Sequence, residues 1–100
     1  MVYRGKSLVD ANEAIAISKE ISYPSGVVSG LRARGWAESV FGKPDDAIKS
    51  FSEALNICDV NNLRKMQAKL HEGIASAYDD KGDYRKAIEH YEIALCDHYN

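Results

Sequence analysis

The chain has 100 residues, of which 45% are hydrophobic and 28% are charged. These values are typical of one globular domain and exclude a disordered or collagen-like chain. The 13 Lys and Arg residues against 15 Asp and Glu residues give a formal net charge of -2, so we expect no nucleic-acid partner. No apolar run approaches the roughly 20 residues of a membrane span, and the amino end lacks a secretory signal. We therefore expect no membrane partner and a cytoplasmic location, the alternative being a piece of a longer protein whose targeting segment lies elsewhere.

The sequence contains an internal repeat with a period of 40 residues. Residues 42–55 align with residues 82–95 without a gap, and the same shift places residues 14–15 in register with residues 54–55. About two and a half copies of one unit are therefore present, which is typical of a repeat architecture.

Each copy carries two stripes of apolar residues spaced three or four apart, which predicts helices and an all-α fold. Tyr23 to Gly26 form a linker because Pro24 disfavours helix in the residue before it. Pro44 suits the first turn of a helix, and Gly82 followed by Asp83 predicts a helix end and a new cap. In chain order, the predicted helices are at about 6–21, 25–41, 45–58, 62–80 and 84–97.

The second full copy has a series of small and aromatic residues that resembles the tetratricopeptide repeat (TPR) family. The matching residues are Ala75, Tyr78, Gly82, Tyr84, Ala87, Tyr91 and Ala94, and in the first copy Gly35, Ala37, Gly42, Ala47, Phe51 and Ala54. The resemblance implies a right-handed α-solenoid of about five helices in antiparallel pairs. Residues 1–100 would then form one domain of a longer array, with a partial repeat at about 6–24 and full repeats at about 25–60 and 61–100.

Small residues at the family positions allow helices to approach closely, so Ala87 and Ala94 are predicted packing positions. Arg34 and Glu38 depart from the pattern, because the family has apolar residues there, and we expect the two to pair with each other. A shift of helix 25–41 by two residues is the alternative, and it would bury Trp36, Ala37 and Val40 and lose the match of Gly35.

The resemblance also implies a partner-binding groove lined by the first helix of each unit. The residues that match its positions are Ser29, Arg32, Trp36, Ser39 and Val40 in one copy and Lys69, Glu72, Ser76, Asp79 and Asp80 in the next. Trp36 is the candidate anchor, because Trp often dominates binding energy, although it could instead belong to the core. The family's Lys and Asn clamp for chaperone tails is not matched. A mixed-charge or basic peptide suits these side chains better, with a solvated charged face as the alternative.

The sequence shows no phosphate loop or nucleophile motif, so we expect no enzyme activity and no cofactor. His90, Cys96, Asp97 and His98 could supply metal ligands, but residues 96 and 98 point apart on a helix, so we expect no metal. Cys58 and Cys96 are predicted to be half-buried thiols rather than a disulfide.

These observations predict a noncatalytic scaffold that binds a protein or peptide, as the interaction segment of a larger regulatory or signalling protein. The alternative is a structural segment that self-associates, for example as a homodimer, through the exposed ends of its repeats. The apolar residues assigned to those ends are Leu8, Val9, Ala11 and Ile15 at one end and Ile88, Tyr91 and Leu95 at the other. A third possibility is an enzyme that this segment regulates.

Overall fold

The computed structural model describes the backbone of residues 2–20 and 22–99 and the side chains of residues 11–20 and 22–96. In this part of the chain the structure has five helices and no strand. They are α1 (Val2–Glu20), α2 (Pro24–Val40), α3 (Pro44–Asn61), α4 (Arg64–Lys81) and α5 (Tyr84–Tyr99). The prediction of an all-α fold is confirmed, and each predicted helix overlaps one observed helix.

Tight turns join the helices, so that successive helices run antiparallel. Gly42 and Gly82 have φ angles of 78° and 81°, and Asn62 ends α3 with a φ of 56°. Such left-handed residues are common at the ends of helices. The predicted break at Gly82 is therefore confirmed.

The turn between α1 and α2 lies earlier in the chain than predicted, before Pro24 rather than at residues 23–26. Pro24 is the first residue of α2 and Gly26 lies inside that helix, so the assignment of both to a linker was wrong. A proline is well suited to the first turn because its missing N–H has no intrahelical partner there. Ser22, with a φ of 55°, makes the turn instead.

The helices form a stack in which each one packs against its neighbours in the chain. In addition, α4 contacts α2, so it lies in the groove between α2 and α3. This arrangement of helical pairs is a TPR-like α-solenoid.

Phe51 is the centre of the core. Its ring is fully buried between two glycines, one on α2 and one on α4. A Cβ atom added at Gly35 would lie 2.7 Å from the ring, and one added at Gly73 would lie 2.6 Å from it. These distances confirm Gly35 as a close-contact position. Of the three residues that the alternative register would bury, Ala37 is buried and Trp36 packs on the core, whereas Val40 is 53% exposed. Ala87 and Ala94 are buried, as predicted.

Arg34 and Glu38 do not form the direct pair that the sequence suggested. The Ser50 hydroxyl lies between them: it accepts a hydrogen bond from Arg34 Nε at 3.1 Å and donates one to Glu38 Oε1 at 2.6 Å. Arg34 also contacts Glu53 of α3 and Asn12 of α1. The Arg34 side chain is 27% exposed and Glu38 is partly exposed, so neither charge is fully buried.

Two further expectations about burial need correction. Ala11 and Ile15 are 4% and 6% exposed and pack against α2, so neither is an exposed apolar residue. The side chains of Leu8 and Val9 lie outside the described residues. Cys58 is fully buried and Cys96 is exposed, so neither thiol is half-buried.

Candidate functional site

A groove of about 810 Å³ lies between α1 and α2, and we call it the α1–α2 groove. Most of the side chains around it are small and apolar. Its lining consists of Ala11, Ala14 and Ser18 from α1, Tyr23 from the turn, and Gly26, Ser29, Gly30, Ala33, Trp36, Ala37 and Val40 from α2.

The two helices that form this groove approach each other closely. A Cβ atom at Gly30 would lie 2.6 Å from Cγ1 of Ile15 and 3.3 Å from the backbone oxygen of Ala11. One at Gly26 would collide with the Ser18 hydroxyl. Glycine at these positions therefore lets α2 lie directly on α1, and few long side chains remain to fill the space above them.

Trp36 belongs to both the core and the groove. Its ring packs edge-on against Phe51, with ring centroids 5.6 Å apart and an interplanar angle of 73°. The side chain is partly exposed and also lines the α1–α2 groove. It is the single Trp of the chain, so its fluorescence can report on what enters the groove.

The ten predicted partner-binding residues do not line one cavity. Ser29, Trp36 and Val40 line the α1–α2 groove. Lys69 and Glu72 line a second cavity, of about 570 Å³, between α4 and α5 at the other end of the stack. Arg32, Ser39, Ser76, Asp79 and Asp80 line neither of these two cavities.

Two of those remaining residues have buried polar atoms. Among the described residues, Arg32 Nε and Ser39 Oγ are buried without a hydrogen-bond partner. With Trp36 they follow a spacing of three and four along one side of α2. Buried polar atoms without hydrogen-bond partners cost free energy.

Sequence reasoning missed the contribution of α1 to the groove. Ala11, Ala14 and Ser18 share one face of α1, and small residues on α2 face them at 26, 30, 33 and 37. Both series have the three-or-four spacing of a helical face. This spacing of small residues could have indicated the groove, but the resemblance directs attention to the first helix of each unit alone.

A polar cluster lies between α4 and α5. The Nδ1 atoms of His71 and His90 are 2.9 Å apart. The ring of Tyr78 stacks on the ring of His90, with ring centroids 5.7 Å apart. Burial lowers the pKa of His90, and the nearby His71 is the second largest cause of this decrease. Within the described part of the chain no three His, Cys, Asp or Glu residues converge on a point that could hold a metal. The side chains of Asp97 and His98 lie outside that part.

Comparison with known proteins supports the architecture. No family model and no curated protein matches this sequence. The fold is similar to that of the TPR domain of Arabidopsis FLU, seen in a crystal structure, with a TM-score of 0.82 and 21% sequence identity over 93% of this chain and 78% of that one. This likeness shows that the chain has a TPR-like fold. In the described residues, no helix is long and apolar enough to span a membrane.

Proposed function

We propose that this chain is a noncatalytic interaction module that binds a protein or peptide in the cytoplasm as part of a larger regulatory or signalling protein. The observation that carries the proposal is the α1–α2 groove with Trp36 in its wall. Its volume of about 810 Å³ lies within the range of ligand pockets, roughly 300–1,000 Å³. An aromatic anchor in an apolar groove is the usual centre of binding energy at an interface.

The charges around the stack favour one class of ligand. Of the predicted partner-binding residues on α4, three are acidic (Glu72, Asp79 and Asp80) and one is basic (Lys69), and all four are exposed. Together with Arg32 they suit a mixed-charge or basic peptide that crosses from α2 to α4. We include in the proposal that residues 25–60 and 61–100 are two full repeats of a longer array.

A fluorescence titration tests this function. Peptides of about 16 residues are selected by display against the immobilised full chain and are then titrated into the chain in solution. We expect saturable binding that changes the emission of Trp36, because that ring lines the groove. Ala33→Glu, which places a charge at an exposed position of the groove wall, should weaken binding about tenfold or more, or roughly 1.4 kcal/mol.

The matched control is Val60→Glu, at a residue of α3 that is exposed and lies outside the groove. It should bind the selected peptides as the unmodified chain does. Circular dichroism establishes that both variants keep their helices. Equal affinity of the two variants, or binding without any change in Trp36 emission, would contradict a binding site in this groove.

A further inference from the structure

By the shift of 40 residues, α1 and α2 correspond to α3 and α4, so the α1–α2 groove corresponds to the groove between α3 and α4, on which α2 packs. By the shift of 40 residues, Ala14 of α1 corresponds to Ala54 of α3. Ala54 is fully buried, because α2 and α4 both pack on α3, whereas Ala14 is exposed, because α2 alone packs on α1. The α1–α2 groove is therefore a packing site for one further helix, and no described helix of the chain occupies this site.

The side chains that line the α1–α2 groove are smaller than those at the corresponding positions of α3 and α4. Ala11 stands where α3 has Phe51, and Gly30 stands where α4 has Leu70. Both Phe51 and Leu70 are fully buried and fill the space between α3 and α4. A helix that fits the α1–α2 groove must therefore bring large apolar side chains of its own.

Helix α5 has such a set of side chains on its exposed surface. Tyr84, Ile88, Tyr91 and Leu95 have the three-or-four spacing of one helical face, and we call them the α5 stripe. Ile88 and Leu95 are 57% and 56% exposed. Half of the exposed large apolar side chains in the described part of the chain are on this one helix. A continuous apolar stripe of this kind marks an interaction surface.

We infer that the α1–α2 groove binds the α5 stripe of a second copy of this chain, head to tail. The inference rests on the proposed function, because it names the partner of the same groove. The groove is lined by small residues and the stripe consists of large ones, two of which, Tyr91 and Leu95, also border the cavity between α4 and α5. The unlike ends of two copies therefore complement each other in side-chain size. Two grooves placed face to face would leave both hollows empty.

The symmetry of such a contact determines how the assembly grows. A head-to-tail contact uses one groove and one stripe, so each added copy leaves one of each free at the two ends. The average mass should therefore rise with protein concentration beyond that of a dimer. This differs from the pairing of like ends, which closes at two copies.

A mixing experiment with two variants tests the inference. Ala33→Glu blocks the groove and leaves the stripe intact, whereas Ile88→Glu blocks the stripe and leaves the groove intact. Both positions are exposed in the single chain, so each variant should fold. In sedimentation, each variant alone should stay near 11.1 kDa, and an equal mixture should form a species of about twice that mass and no larger one.

Two controls accompany this mixture. Ile17→Glu changes an exposed apolar residue of α1 that does not line the groove, and it should self-associate as the unmodified chain does. If Ala33→Glu loses its helical circular dichroism, Ala14→Glu replaces it, because Ala14 lies on the opposite wall and is exposed.

Three results would overturn the inference. The unmodified chain could remain at 11.1 kDa at every concentration up to the millimolar range. The groove variant alone could dimerise, which would show pairing of two stripes, or the stripe variant alone could dimerise, which would show pairing of two grooves. In each case, selected peptides that still change Trp36 emission would leave the proposed function standing, so the two failures are distinguishable.

Discussion

Replacement of Gly73 by alanine should destabilise the fold, although the same change stabilises most helices. Alanine in a helix interior is favoured over glycine by about 1 kcal/mol. A Cβ atom at Gly73, however, would lie 2.6 Å from Cζ of Phe51, whereas ordinary contacts begin at 3.4 Å. The ring is fully buried and has Gly35 on its other side, so it has no room to retreat. Overpacking of this kind costs about 1–3 kcal/mol, and we expect a net loss of about 1 kcal/mol.

The repeat supplies a matched control for this change. Ala33 occupies the position of α2 that corresponds to Gly73 by the shift of 40 residues, and it is exposed. Ala33→Gly therefore measures how much a helix at this position favours alanine over glycine when no side chain collides. It should lower the free energy of unfolding by about 1 kcal/mol. The two substitutions are opposite in direction and should nevertheless both destabilise the chain.

A double-mutant cycle separates the collision from other effects. In a Phe51→Leu background the ring is gone, so Gly73→Ala should become neutral or stabilising by up to about 1 kcal/mol. The coupling between the two positions should then be about 2 kcal/mol, within the range found for residues in contact. Urea unfolding followed by circular dichroism measures all four free energies. A stabilising effect of Gly73→Ala in the chain that retains Phe51 would refute the packing argument.

Three other outcomes are expected. Ala87→Leu should lower the free energy of unfolding by about 1–3 kcal/mol in urea titrations, because the alanine is buried between α4 and α5 and a larger side chain would overpack it. Because burial and the nearby His71 lower the pKa of His90 in the folded chain, the unfolded chain binds the proton more readily, and stability should fall as the pH drops below about 6.5. Unfolding measured from pH 5 to 8 should show a weaker dependence in His90→Gln, and an unchanged one would exclude this histidine as the cause. Finally, burial raises the pKa of the Cys58 thiol, so a disulfide reagent should modify Cys96 at once and Cys58 only as the chain unfolds.

The helices and their close contacts could be predicted because they depend on local patterns that recur at a fixed shift. Gly82 marks a turn by its own conformational freedom, and Gly35 marks a contact by its lack of a side chain. The interactions of Arg34 could not be predicted in this way. Its partners Ser50 and Asn12 lie on two other helices, and only the relative placement of those helices brings them within hydrogen-bond distance.

The candidate site was predicted in part for a related reason. The position of Trp36 followed from the pattern of one helix, and the structure places it at a groove wall. The opposite wall consists of small residues of α1, such as Ala14, and small side chains carry little information about whether they face a neighbour or open space. Whether Ala14 is covered depends on which helix lies above it, and not on its own sequence context.

Contact of the Phe51 ring with both α2 and α4 joins the two full units into one cooperative block. Residues 35, 51 and 73 must come together before the ring is enclosed, so α2, α3 and α4 should form as one event during folding. In the described part of the chain α1 packs only on α2, and α5 packs only on α4. These outer helices can open without breaking the central contact, so their backbone amides should exchange with solvent hydrogen sooner than those of α3. Both halves of the self-association surface that we infer involve these outer helices, so assembly of copies would slow amide exchange at the ends of the stack.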